Sequence, residues 1–377
     1  MVLVCFISKN KSKLETCLSA YSSQLTENTE IFILSKERFK LNLNLNADRV
    51  FFADEKSFLN LITDFEPKIP DASRIFKFGY GGLRNCGLLL AASLGQDLIF
   101  FDDDTAPASH CIFQYSSLFD DGEQIICGKY LNCAGGTTTI LLELISTLES
   151  VKNNRLSYEL AEKKLSDLFG GVPSPVKRVI SGSGFNGGNA GISANTLSHY
   201  CFFPTNYRVE DGCFASFSKY FIGENAFYNP QTDLSMSNIP VVFHNKLRGS
   251  PKTLYNNLLS EAKGSVIAQF IDARASGSSS RSPTVNQASE KVFENFLLTF
   301  FKEKINSQHL DAVAARFGKE ISERLSELIS LSPADFSVSS EELSSSVNTF
   351  FFSQKNWANI TGLASTAFFE QLTDFSV

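Results

Sequence analysis

The sequence lacks an excess of positive charge. Its 34 Lys and Arg are outnumbered by 40 Asp and Glu, a formal net charge of −6 over 377 residues, so no global field draws the chain to a phosphate backbone or an anionic membrane. Nucleic acid is therefore not an expected partner. Paired cysteines are also missing. The eight (Cys5, Cys17, Cys86, Cys111, Cys127, Cys133, Cys201 and Cys213) are scattered, with no Cys-x-x-Cys pair and no His at zinc-finger spacing; this argues against structural zinc and fits a reducing, cytoplasmic setting. No apolar run approaches the roughly 18 residues of a spanning helix, which leaves peripheral contact as the only membrane association to expect. The opening stretch, residues 1–7, is strand-length, carries no basic region ahead of it and runs straight into Ser8-Lys9-Asn10-Lys11, so it does not read as a secretory leader. Histidine is scarce, at four residues, and no internal repeat is evident.

The composition that remains, 43% hydrophobic and 20% charged, is that of a globular chain, and its 35 Phe imply heavy aromatic burial. The length suits two domains, or one large α/β domain with an appended module. From residue 2 to about 130, runs rich in β-branched and aromatic residues (2–7, 30–34, 49–52, 97–101 and 124–130) alternate with helical stretches. Such runs are apolar at nearly every position, which suits strands covered on both faces. The pattern predicts an α/β fold, a mostly parallel nucleotide-binding sheet flanked by helices, with ligands at the carboxyl ends of the strands.

A helical insertion is expected over about 137–170, where Ile140, Leu141, Leu144 and Ile145 form one stripe. Strand character returns at 178–181, followed by a Gly-rich passage over 181–191, a helix near 211–220 and a strand at 239–243. The α/β domain is expected to span 1–250. A helix and flexible linker follow over 251–288, centred on the small, polar segment 273–283. A C-terminal helical module is expected over 289–377: Val292, Phe293, Phe296, Leu297 and Phe300 recur at helical spacing, as do Leu310, Val313, Ala314 and Phe317. The Phe-rich face reads as packing surface, with acceptor binding or homo-oligomerisation as the alternative role.

The sharpest local feature is an apolar strand ending in Asp102-Asp103-Asp104. Adjacent carboxylates raise one another's pKa unless a cation neutralises them, and oxygen ligands suit Mg²⁺ or Mn²⁺. A solvated acidic turn is the plainer alternative. Upstream, Gly79-Tyr80-Gly81-Gly82 feeds a helix whose first turn carries Arg84 and Asn85. Free N–H groups at such a helix start accept anions and phosphate esters. Together the two features form the halves of a nucleoside-diphosphate site, donors on one side and a metal on the other.

With Arg84, Asn85 and Gly87 followed by Ile99-Phe100-Phe101-Asp102-Asp103-Asp104, the sequence resembles the metal-dependent glycosyltransferases of the A-type fold, the family 2 pattern in particular. The resemblance runs in order over residues 1–250, through Gly187-Gly188-Asn189-Ala190-Gly191, the acidic pair Glu210-Asp211, and His244 after a strand. It implies an A-type, Rossmann-like fold and an inverting hexosyltransferase that moves a sugar from a nucleoside-diphosphate sugar to a carbohydrate or other hydroxyl acceptor with Mn²⁺ or Mg²⁺. It further implies that Asp104 binds the metal, that Asp102 reaches the ribose or the metal shell, and that His244 completes the coordination. Asp103 and Arg84 with Asn85 would then lie on the donor side, Gly188 and Asn189 on the acceptor side, and Asp211 or Glu210 would serve as general base. Lys246 and Arg248, close behind His244, read as a phosphate clamp. The chain departs from the family in its first strand, which ends in Ser8-Lys9-Asn10 rather than Pro-x-Tyr-Asn, and in its second, which has no Asp-Asp pair. Ser8 is then the donor-side residue of the first strand, and Asp54, just after the third, the candidate for contacting the base.

Three other readings share parts of this pattern. A haloacid-dehalogenase-type phosphatase would want its Asp motif after the first strand, and a sugar nucleotidyltransferase would want a Gly-rich basic loop there. A binding module that holds nucleotide sugars without turnover is the third.

Overall fold

The computed structural model describes residues 1–38, 40–41, 45–77, 79–131, 187–223, 239–244, 251–277, 283–296 and 319–365, most of 146–164, and a few residues elsewhere. Four strands, β1 (Val2–Ser8), β2 (Thr29–Ser35), β3 (Arg49–Asp54) and β4 (Asp97–Asp102), pair in parallel in the order β3-β2-β1-β4. Shorter strands follow: β5 (Thr105–Pro107), β6 (Ile125–Cys127), β7 (Lys129–Leu131), β8 (Asn189–Ile192), β9 (Phe227–Tyr228) and β10 (Val241–His244). Among the described residues, the main sheet has seven strands in the order β3-β2-β1-β4-β8-β6-β9, of which only β8 runs against the others. A small second sheet has the order β5-β10-β7. The chain is thus an α/β protein with a mostly parallel, Rossmann-like sheet flanked by helices.

The helices are α1 (Lys11–Tyr21), α2 (Glu55–Ile62), α3 (Ser73–Phe76), α4 (Tyr80–Leu94), α5 (Cys111–Asp120), α6 (Glu210–Phe217), α7 (Pro251–Ala275), α8 (Val285–Asn295), α9 (Lys319–Ser330) and α10 (Ser340–Leu363). The twofold period of the strands sorts the core into two layers. Leu3, Cys5, Phe32 and Leu34 face the layer of α2, α3 and α4, whereas Val4, Phe6, Ile31 and Ile33 face α1 and α5. Local caps fix where the helices begin. Asn10 accepts the Lys13 N–H at the start of α1 (3.1 Å), and Asp54 forms a capping box with Ser57 at the start of α2. Among the described residues, no helix is long and apolar enough to cross a membrane.

The structure departs from the sequence expectations in two places. The run at 124–130 is two strands in two sheets, β6 and β7, separated at Gly128. There the backbone passes so close to the Asn189 amide and the Tyr115 hydroxyl that a Cβ would collide with both. The Gly-rich passage contains a strand, β8, whose small residues fit between β4 and β6. The C-terminal helices pack on the α/β core, as a packing face would require. Trp357 and Phe350 of α10, Val292 of α8 and Leu328 of α9 belong to the same apolar cluster as the sheet, and the Trp357 ring packs at a tilt against Phe76 of α3, with centroids 6.0 Å apart. The strand expected at 178–181, the stripes Ile140–Ile145 and Leu310–Phe317, and most of the insertion at 137–170 lie outside the described residues.

Candidate functional site

Parallel strands end on one edge of the sheet, and there β1 and β4 open onto a cleft of about 610 Å³. It is lined by the β1–α1 turn, the start of α4, the Asp102–Asp104 turn, the start of α6 and Glu261 of α7. The size is that of a site for a substrate-sized molecule. The Asp turn is held rigidly: Thr105 Oγ1 donates to Asp102 O (2.8 Å), and the Asp102 N–H donates to Gly188 O (3.2 Å). Ser8 joins the ends of β1 and β4, since its hydroxyl accepts the Asn10 N–H (3.0 Å) and donates to Asp103 Oδ2 (2.6 Å). Burial raises the Asp103 carboxyl above its ordinary pKa, and the Ser8 hydrogen bond opposes that rise.

Arg84 sits at the centre of the cleft floor. It is 7% exposed, and each of its three guanidinium nitrogens faces a different carboxylate: Nε to Asp211 Oδ1 (3.2 Å), Nη1 to Asp102 Oδ1 (3.7 Å) and Nη2 to Glu210 Oε1 (3.8 Å). Burial alone would lower its pKa, but Asp211, Asp102 and Glu210 outweigh burial and hold the charge. Glu210 is sealed, at 6% exposure, and burial, reinforced by the neighbouring Asp211, pushes its carboxyl up to about 8. Burial also raises Asp211, against the pull of Arg84 and a hydrogen bond from the Gly187 N–H to Oδ2 (2.9 Å). Gly187 and Gly188 leave room for this arrangement. A Cβ at Gly187 would strike Arg84 and Asp211, and one at Gly188 would strike the Asp102 carboxylate.

Asp104 meets His244 because the register of the small sheet pairs His244 with Thr105. His244 Nε2 lies 3.6 Å from Asp104 Oδ1, and its ring stands edge-on to Tyr130 at 5.0 Å. Asp104 Oδ1 is buried with no hydrogen-bond partner among the described residues. A buried carboxylate oxygen without a partner is costly. Two ligands of one cation, each bonded at about 2.1 Å, stand roughly 3.0–3.5 Å apart; the pair, at 3.6 Å, is just beyond that spacing and could supply two of the roughly six ligands of a hard divalent ion. Among the described residues, no group of three or more His, Cys, Asp or Glu side chains converges as a metal cage. Asp102, an expected ligand, turns to Arg84 instead.

Ser8, Arg84, Asp102, Asp103, Asp104, Glu210 and Asp211 line one cleft, as the sequence suggested. Other expected residues have different work. Asn85 is fully buried and turned into the protein: its amide donates to Ile75 O (2.9 Å) and Phe202 O (3.0 Å), and its Oδ1 accepts the Phe202 N–H (2.7 Å). It fastens the chain at Phe202 to α4 and has no group left for a donor. Asn189 is likewise buried, accepting from the Tyr115 hydroxyl (2.8 Å) and donating to Lys129 O (2.9 Å), so it staples strands rather than facing an acceptor. Gly188 contributes space and a carbonyl. Asp54 caps α2 and is not part of the cleft lining. Lys246 and Arg248 lie outside the described residues.

Several cleft residues carried no sequence signal. Tyr80 has Lys9 Nζ at 5.6 Å and the Arg208 guanidinium at 5.7 Å from its ring centre. Arg208 is fixed from α7, where Glu261 pairs with it at 3.4 Å and Ser260 accepts its N–H. Lys13 completes the basic side of the wall. Arg208 stands two residues before Glu210 in the sequence, but nothing local marks Glu261, which reaches the cleft only because α7 packs there. No protein-family model matches the chain, and no curated protein is significantly similar to it.

Proposed function

We propose that this protein is a metal-dependent glycosyltransferase on the A-type fold, moving a sugar from a nucleoside-diphosphate sugar to a hydroxyl acceptor. One observation carries the reading: a single cleft at the carboxyl edge of the parallel strands holds both the Asp102–Asp104 turn and the Glu210–Asp211 pair, drawn from distant parts of the chain. Asp104 and His244 would hold Mn²⁺ or Mg²⁺. When bound, the ion supplies Lewis-acid stabilisation of a diphosphate leaving group. Lys9 and Lys13 add positive charge at the β1 end of the cleft, where they would face the phosphates. Asp103, fixed by Ser8, would orient the ribose. The acid pair on α6 takes the proton of the acceptor hydroxyl as that oxygen attacks the anomeric carbon. A base on one wall and the leaving group on the other suit a direct displacement with inversion.

The test is a thermal-denaturation screen of UDP, GDP, ADP, CDP and dTDP, each with and without Mn²⁺. One of them is expected to raise the midpoint only when the metal is present, by about 2.7 kcal/mol of stabilisation at a hundredfold excess over its Kd. If none does so, the donor reading fails. Where one does, its common sugar conjugates are then tested for Mn²⁺-dependent hydrolysis and transfer.

A further inference from the structure

We propose that Arg84 acts on the reaction through Asp211 and not through the donor: its guanidinium singles out Asp211, rather than Glu210, as the charged acid of the pair. This rests on the transferase reading of the cleft and goes beyond it by assigning different roles to two adjacent carboxyl groups. Arg84 is then a positioning residue.

The geometry distinguishes the two acids. Asp211 has both oxygens hydrogen-bonded, Oδ1 by Arg84 Nε and Oδ2 by the Gly187 N–H. Glu210, at 3.8 Å from Nη2, is outside hydrogen-bond reach of the same guanidinium. Arg84 hydrogen-bonds Asp211 but not Glu210, and the second cation near Glu210, Arg208, is itself paired with Glu261 at 3.4 Å; two consecutive buried acids thus share one hydrogen-bonded cation, and one of them takes up a proton. Asp102 is the most exposed of the three, with 37% of its side chain open to solvent. Glu210 is sealed and has the weakest hold on Arg84, so it is the acid that stays neutral.

The surroundings favour the same division. Glu210 faces Arg84 from α4, with Arg208, Asp211 and Cys213 along its own segment. Asp211 faces Arg84, Asp102 of β4, Glu210, Tyr130 of β7 and Cys127 of β6. Phe100 and Phe202, each 5.8 Å from the Arg84 guanidinium carbon, hold its plane, and all three nitrogens already face protein carboxylates. A neutral Glu210 beside an ionised Asp211 avoids two like charges in consecutive positions, and it leaves a single acid, aimed by Arg84, to receive the acceptor's proton.

The decisive experiment is a carboxyl ¹³C NMR titration of the full chain, labelled at Glu Cδ in one sample and Asp Cγ in another. A late step near pH 8 is expected in the Glu-labelled protein and is lost in Glu210→Gln. A late step in the Asp-labelled protein that disappears in Asp211→Asn, or no late step in either, overturns the assignment. A second measurement follows Kd for the nucleoside diphosphate selected by the Mn²⁺ screen. Arg84→Lys keeps the buried charge and loses the Nε geometry; its Kd is expected to stay within twofold of the unmodified chain, and a tenfold weakening would put the guanidinium on the donor and sink the proposal. Should Arg84→Lys not fold, the labelled titration decides alone. Should no nucleoside diphosphate bind the unmodified chain, the transferase reading falls while the titration still judges the pair.

Discussion

Asp104 and Glu210 are both buried acids, and removing the charge of each is read by a different measurement. Asp104 Oδ1 has no hydrogen-bond partner among the described residues, so its loss removes a burden along with a ligand. Asp104→Ala is expected to abolish the Mn²⁺-linked stabilisation by nucleoside diphosphate while changing metal-free stability by less than about 1 kcal/mol, both read from thermal denaturation. Glu210 has its folded-state pKa raised from 4.5 to about 8. Between those values the folded state holds a proton that the unfolded chain has released, so this group's contribution is fully present below pH 4.5 and is lost as pH rises through 8. Glu210→Gln, which cannot ionise, is expected to flatten the stability profile across that window and to gain on the unmodified chain toward its alkaline end. Urea denaturation at a series of pH values checks this; parallel profiles for the two proteins would refute it.

At the level of elements, the parallel strands were legible because burial on both faces writes itself as an unbroken apolar run, and the same run announced the Asp turn at its end. The antiparallel β8 was not legible. Asn189-Ala190-Gly191-Ile192 has no strand pattern, and it is a strand only because its small side chains let β4 and β6 close on it. Asn85 misled for a related reason: beside Arg84 at a helix start it has the look of an anion contact, but its amide matches the backbone at Ile75 and Phe202. Pairing of His244 with Thr105 is a matter of register between remote segments, which no local pattern records. The Gly187–Gly188 link couples β8 to the cleft most tightly. Gly188→Ala places a methyl group against the Asp102 carboxylate and is expected to cost about 1–3 kcal/mol, the usual range for overpacking, with loss of nucleoside-diphosphate binding; chemical denaturation and the Mn²⁺ screen measure the two effects.

For the molecule as a whole, the helical spacing of the C-terminal third was readable, whereas its destination was not, because an apolar helix face does not name the surface it covers. Trp357 shows what was hidden: it is fully buried, packs at a tilt against Phe76 and donates from Nε1 to Leu197 O at 2.7 Å. Gln354 pairs with both the N–H and the carbonyl of Cys201, and the Tyr207 hydroxyl donates to Glu342. The segment leading to Glu210 is thus pinned repeatedly by α10. Trp357→Ala is expected to cost about 3–5 kcal/mol and to leave one cooperative transition; two separate transitions by calorimetry would mean that the C-terminal helices melt apart from the sheet. The meeting of Asp104 with His244 has a different kind of consequence, since it closes a loop of roughly 140 residues. Neither side chain has the other nearby until that closure is complete, so under the proposed reading manganese is captured by finished molecules only. Nascent or damaged chains would then draw nothing from the free-ion pool.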